Sequence, residues 1–122
     1  MLTLRELLNK VFDSLLSAFK VKIVRREGET IEICRETDIS GGIIAELKEF
    51  RTWSMYLKVA DAIDIKIELS PDGGSTWFEV PESPISFSSA DDKVVKMDYS
   101  ATHIRITGSN TSNVTAIIRG VY

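Results

Sequence analysis

The sequence predicts an all-β protein: an antiparallel β-sandwich or jelly roll of about eight strands, preceded by one N-terminal amphipathic α-helix. Three observations predict it. Apolar and polar residues alternate through Ile63-Asp-Ile-Lys-Ile-Glu-Leu69, the period of a strand with one buried face. Short β-rich runs recur along the chain, separated by Gly, Pro, Asn and Asp clusters at the spacing of a sandwich. Residues 4–19 alone carry a sustained helical repeat. The expected organisation is therefore a helix over residues 1–20, for assembly or docking, and a β-sandwich domain over 21–122.

The helix has a start signal and a face. Thr3-Leu-Arg-Glu6 is a capping box, in which the Thr3 hydroxyl serves orphan backbone N–H groups and Glu6 reaches back. Leu4, Leu7, Leu8, Val11, Phe12, Leu15, Leu16 and Phe19 share one face, with Glu6, Asn9, Lys10, Asp13, Ser17 and Lys20 opposite. A helix over residues 4–19 would span about 24 Å. Burying the whole face is worth on the order of 10 to 20 kcal/mol before entropy. Such a face needs cover from its own sheet, a neighbouring copy or a membrane surface. The polar face lacks the Lys/Arg excess that anionic lipid favours, which argues against a membrane. Leu4, Leu8, Val11, Leu15 and Ala18 follow the alternating four- and three-residue steps of a coiled-coil seam. The expectation is a homo-oligomer, with a trimer as its working order, in which Leu4, Leu8, Val11, Phe12, Leu15 and Phe19 are the assembly residues.

The strands follow in order. Residues 21–26 and 31–35 read as a hairpin joined across Glu27-Gly28-Glu29-Thr30. Cys34 falls late in the second run, where a lone thiol reads as a small buried hydrophobe. Residues 37–42 form a loop by their Gly pair, and residues 43–50 fit either a short helix or a strand. Alternation then places Trp53, Met55, Leu57 and Val59 on one side of a strand, and Asp61-Ala62 turns into the strand at 63–69. Next comes Ser70-Pro-Asp-Gly-Gly-Ser-Thr-Trp77, a hairpin turn. Pro71 presets φ, Asp72 accepts N–H bonds within its own loop, and Gly73 and Gly74 supply positive φ. Thr76 and Trp77 begin the return strand, with Trp77 a candidate lid on one end of the core. Pro81-Glu-Ser-Pro84 breaks pairing, because proline cannot donate to a ladder. Residues 85–88 are a short strand, Asp91-Asp92 a turn, and residues 93–97, 103–107 and 114–122 three more strands, the last two joined by a polar turn at 108–113.

Ser70, Asp72, Gly74, Thr76 and Trp77 match all five positions of the Asp box, the Ser/Thr-x-Asp-x-Gly-x-Thr-Trp/Phe hairpin of sialidase propellers and many unrelated β proteins. In those families the motif is a structural fold-back remote from the chemistry, so the resemblance implies a structural turn and no active site. One copy in 122 residues cannot build a propeller of several four-stranded blades. Over residues 38–122 the wider pattern is similar to small β-sandwich modules of bacteriophage and archaeal virus structural proteins. That resemblance implies a virion component, made in the host cytoplasm, with other virion proteins such as the capsid as partners.

Composition removes several function classes. A chain of 122 residues suits one domain. The net charge of −3, with no basic cluster beyond Arg25-Arg26, argues against nucleic acid. One Cys and one His cannot supply the usual four ligands of a zinc site, and one Cys cannot form an intrachain disulfide. Arg5, Glu6, Lys10 and Asp13 interrupt the apolar start, so it reads neither as a secretory signal nor as a membrane span, and the expected chain is soluble. His103 falls on the outer face of a strand, with no triad partner in view. Glu68 and Glu79 could face each other across the hairpin as a glycosidase pair would, and Asp72, Asp91 and Asp92 could approach Ca²⁺, but neither set has the spacing of a built site. No catalytic, cofactor or metal residue is assigned. The expected function is a non-enzymatic structural protein, an accessory, decoration or fibre-type virion component. The alternative is a carbohydrate-binding module, which would need Trp53 or Trp77 exposed for stacking on a sugar.

Overall fold

Strand by strand, alternation decides which side chains meet. In the computed structural model, which describes residues 3–10 and 27–122, Ile63, Ile65, Ile67 and Leu69 are buried and Asp64 and Lys66 face outward. The described residues form nine strands: β1 (Gly28–Asp38), β2 (Ile43–Glu46), β3 (Thr52–Val59), β4 (Ile63–Ser70), β5 (Phe78–Glu79), β6 (Ile85–Phe87), β7 (Asp91–Met97), β8 (His103–Gly108) and β9 (Asn113–Val121). One sheet has the order β1-β9-β3-β7, and the other β2-β8-β4-β5, with β6 also pairing β4. All pairs are antiparallel. Apart from β5 and β6, successive strands alternate between layers, the order of a jelly roll.

The core lies between the layers. Trp53, Met55, Leu57 and Val59 of β3 and Val114, Ala116 and Ile118 of β9 meet the β4 isoleucines and Ile104 and Ile106 of β8. β5 and β6 pair opposite ends of β4, at Glu68–Leu69 and Ile63–Ile65, and the intervening Pro81 and Pro84 keep them from being one strand.

Two expectations change and one open reading is decided. Gly28-Glu29-Thr30 is no turn: these residues lie in β1, opposite Val121, Gly120 and Arg119. Gly28 marks a close pass there, since a Cβ would sit 2.6 Å from the Arg119 guanidinium and 2.8 Å from the Gly120 carbonyl oxygen. The proposed partner strand at 21–26 lies outside the described residues. Asp91 and Asp92 also belong to a strand, where Asp92 stands opposite Lys58, an opposite-charge pair that suits a cross-strand position. Residues 43–46, open between helix and strand, pair with β8 as β2.

Residues 4–10 are helical. The Thr3 N–H donates to Glu6 Oε2 at 3.3 Å and the Glu6 N–H donates to Thr3 Oγ1 at 3.3 Å, the two reciprocal bonds of a capping box. Of the assembly residues, Leu4 and Leu8 are described and exposed, while Val11, Phe12, Leu15 and Phe19 lie outside the described residues. Among the described residues no helix is long and apolar enough to cross a membrane.

Candidate functional site

The jelly-roll order gathers the chemically informative residues at one end of the sandwich. Ser70 closes β4 opposite His103 of β8, and Trp53 pairs with Met97 next to the loop that leads into β8. The 70–77 turn, the 98–102 loop, the 47–51 loop, the start of β1 and Tyr122 therefore all sit at this end.

Ser70 is fully buried and organises the turn. Its Oγ accepts from the Gly74 N–H at 2.8 Å and, more weakly, from the Asp72 N–H at 3.4 Å, and its hydroxyl donates to Asp72 Oδ1 at 2.9 Å. Asp72 Oδ1 also accepts from the Thr76 N–H at 2.8 Å. That N–H bond foremost, with the Ser70 hydroxyl adding to it, holds the Asp72 carboxyl below its ordinary value. Gly73 and Gly74 take φ of 76° and 94°, which the tight reversal requires. Thr102 ties the turn to the neighbouring loop: its N–H and hydroxyl donate to the Ser70 carbonyl at 2.8 and 3.0 Å, and its Oγ1 accepts from the Gly73 N–H. A carboxylate engaged this way is a brace.

Beyond the turn, Trp77 is half-buried, with the Arg105 guanidinium 4.5 Å from its ring centroid. Arg105 makes a bidentate pair with Glu68 at 3.1 and 3.0 Å. Glu68 and Glu79 do stand opposite each other. Glu68, however, is neutralised by Arg105, with Lys66 at 3.9 Å, and Glu79 accepts from the Ser83 hydroxyl at 2.9 Å. This arrangement ties strands together and leaves neither carboxylate poised as acid or nucleophile. His103 is half-buried and its Nδ1 lies 3.0 Å from Thr102 Oγ1. Asp91 and Asp92, which begin β7 at the far end of the sandwich, are not brought to Asp72. Among the described residues no cluster of three or more His, Cys, Asp or Glu side chains could hold a metal. Cys34 is buried with its thiol 3.4 Å from the Val114 carbonyl, and burial pushes its pKa up. Trp53 is only 4% exposed, its indole N–H donating to the Tyr99 carbonyl at 3.0 Å.

The same end carries an open apolar cleft of about 270 Å³ between Phe78, Pro71, Pro81, Tyr99 and Ala101, floored by Leu69 and Val80. Phe78 is 60% exposed. The Tyr99 hydroxyl donates to the Glu82 carboxylate at 2.9 and 3.0 Å, which fixes one wall and raises the Tyr99 pKa. A second cleft shares Pro71, Tyr99 and Ala101 and continues toward Phe50 and Trp53. Sequence reasoning missed Phe78. Phe78 stands opposite Leu69 on the core-side face and is exposed because β5 is a two-residue strand at the sheet's edge, whereas Trp77, expected as a lid on the core, lies against Arg105.

No protein-family profile and no curated protein sequence matches the chain. Solved structures do match its fold. The SPBc2 prophage-derived protein YomS is 12% identical over 79% of this chain and 94% of its own, with a TM-score of 0.50. CBM29_1, a family 29 carbohydrate-binding module from Piromyces equi, is 14% identical over 77% of this chain and 91% of its own, with a TM-score of 0.49. A glycoside hydrolase is 15% identical over 63% of this chain at a TM-score of 0.49, and the chain spans 18% of that enzyme. At 12% identity, what the chain shares with the prophage-derived protein is the fold, a small antiparallel β-sandwich.

Proposed function

We propose that the chain is a non-enzymatic structural protein that self-associates through its N-terminal helix and its strand edges, serving as an accessory, decoration or fibre-type component of a virus particle. One observation carries the self-association. On a helix closed by its own capping box, Leu4, Leu7 and Leu8 are 75%, 51% and 60% exposed. Three leucines in water forgo about 1.5 to 3 kcal/mol each, and a protein partner would recover it. The core of the sandwich includes none of Leu4, Leu7 and Leu8. Strand edges are the secondary contact: among the described residues β1 and β7 end one sheet, and Lys93 and Lys96 on β7 discourage unguided pairing there. The virion setting, with the capsid as partner, rests on the pattern of residues 38–122, and the fold shared with a prophage-derived protein is in keeping with it. For the glycan-binding alternative, burial of Trp53 and the Arg105 guanidinium over Trp77 weigh against the exposed tryptophan it requires.

Sedimentation velocity on the full chain tests this. The unaltered protein should sediment as an oligomer and the double variant Leu4→Asp/Leu8→Asp as a monomer with an unchanged urea midpoint. Identical sedimentation of the two would refute the proposal.

A further inference from the structure

Asp72-Gly73 is the one place in the chain where an aspartate or asparagine precedes glycine. Glycine brings no side chain to obstruct attack by its own nitrogen on the preceding carboxyl, and such pairs are where aspartate turns spontaneously into isoaspartate. The Gly73 nitrogen loses its proton and bonds to Asp72 Cγ, a carboxyl oxygen leaves as water, and a five-membered succinimide closes. Water then adds at the Asp72 main-chain carbonyl carbon and breaks its bond to the Gly73 nitrogen. The chain now continues through Cβ and Cγ, with no net gain or loss of atoms. We infer that Asp72-Gly73 is a latent isoaspartate site, which the hydrogen bonds of the folded turn hold shut and which opens when the 98–102 loop releases the Gly73 N–H.

Both reacting groups are tied elsewhere. The Gly73 N–H donates to Thr102 Oγ1 at 2.8 Å. Thr102 gives its own hydroxyl proton to the Ser70 carbonyl at 3.0 Å, so toward Gly73 its oxygen acts only as an acceptor. On the carboxyl, Oδ1 accepts from the Thr76 N–H at 2.8 Å and from the Ser70 hydroxyl at 2.9 Å. Ring closure needs the carboxyl to swing onto the Gly73 nitrogen and the peptide plane to turn away from Thr102, and each motion breaks one of these anchors. The Thr76 N–H foremost also keeps the carboxyl ionised, whereas its oxygen leaves as water only after protonation.

Bonding is the lock because packing is not. Asp72 and Gly73 are exposed, and beyond its chain neighbours no atom lies within 4 Å of where a Cβ on Gly73 would stand, so water reaches both steps. Thr102 is exposed too, in the loop between β7 and β8. Loops held by a few surface hydrogen bonds open far more often than core strands. The product lengthens the turn by one backbone atom and hangs its free carboxylate from Cα, so it cannot restore the Thr76 bond in its present geometry.

The test follows isoaspartate in the full chain at neutral pH, counted by a protein-isoaspartate methyltransferase with labelled S-adenosylmethionine and located by electron-transfer fragmentation of the digested protein. The urea-unfolded chain should form isoaspartate at position 72 at least about tenfold faster than the folded chain, and equal rates would overturn the inference. Thr102→Val, which removes the hydroxyl and keeps the shape, should raise the folded rate about fivefold, while Thr102→Ser should stay within about twofold of the unaltered chain. A folded Thr102→Val chain that reacts no faster than the unaltered one also overturns it. Hydrogen exchange on the unaltered protein supplies a readout that needs no variant and decides the matter should Thr102→Val not fold. The exposed Gly73 amide should exchange at least about tenfold more slowly than in an unstructured chain, and exchange at the unstructured rate means that the latch does not exist.

Discussion

Ser70 is the residue on which the turn end depends. It is buried at the last position of β4, its hydroxyl serves the Gly74 N–H and the Asp72 carboxylate, and its carbonyl receives both donors of Thr102. Removing the hydroxyl leaves the Gly74 N–H and one Asp72 lone pair without their partner. Ser70→Ala should therefore cost about 1 to 3 kcal/mol, read as a lower urea midpoint with an unchanged slope. No change in midpoint would mean that water replaces the hydroxyl and that the turn is held from outside. The bond that Asp72 accepts within its own loop was legible in the sequence because it joins residues a few positions apart, whereas those of Thr102 reach across from another loop. The Arg105 stack on Trp77 and the exposure of Phe78 were not, because they depend on which strand lies beside β4 and in what register. Trp53 and Trp77 looked equivalent along the chain; a hydrogen bond to the 98–102 loop buries one, and a guanidinium covers the other.

At the scale of elements, alternation did most of the predictive work. β3, β4 and β8 bury the residues their patterns mark. Glycine misled where it signals a close pass and not a reversal. Gly28 is the case; Gly120, which falls in the strand expected at 114–122, is a sharper close pass, since a Cβ there would lie 2.2 Å from Phe50 Cγ, at the rigid root of the ring. Phe50 in turn stacks at a tilt on Tyr122, with centroids 5.2 Å apart, so it has little room to retreat. Gly120→Ala should destabilise by about 1 to 3 kcal/mol through overpacking, measured by thermal or urea unfolding. Gly73→Ala meets no such obstacle and is limited by its φ of 76° alone. The start of the helix, residues 4–10, was legible by its capping box, while amphipathicity states that a face seeks burial without naming where.

For the molecule as a whole, the two ends of the sandwich differ, and pH reads both. Asp72 braces the turn end, and Asp38 starts the loop at the other, where the Ser40 N–H foremost keeps its carboxyl below the usual range. For both, the folded chain holds its proton less tightly than the unfolded chain, which takes one up near an Asp pKa of about 3.9. Their stabilisation is thus complete above that value and is lost as pH falls through the folded-state values. The urea midpoint should decline on acidification below the ordinary Asp range, and more shallowly in Asp72→Asn; equal slopes would exclude Asp72 as a contributor. The gathering of Ser70, Phe78, Tyr99 and the start of β1 at one end was not legible at this scale, because it arises from the layer-to-layer crossing of the strands, which local patterns do not encode. That crossing leaves the hinges at residues 39–42, 60–62, 88–90 and 109–112 together on the other side. Foreign epitopes spliced into residues 88–90, all three of them solvent-facing, would stand clear of the Asp72 turn, making the protein a candidate presentation scaffold whose cargo and brace never compete for the same ground.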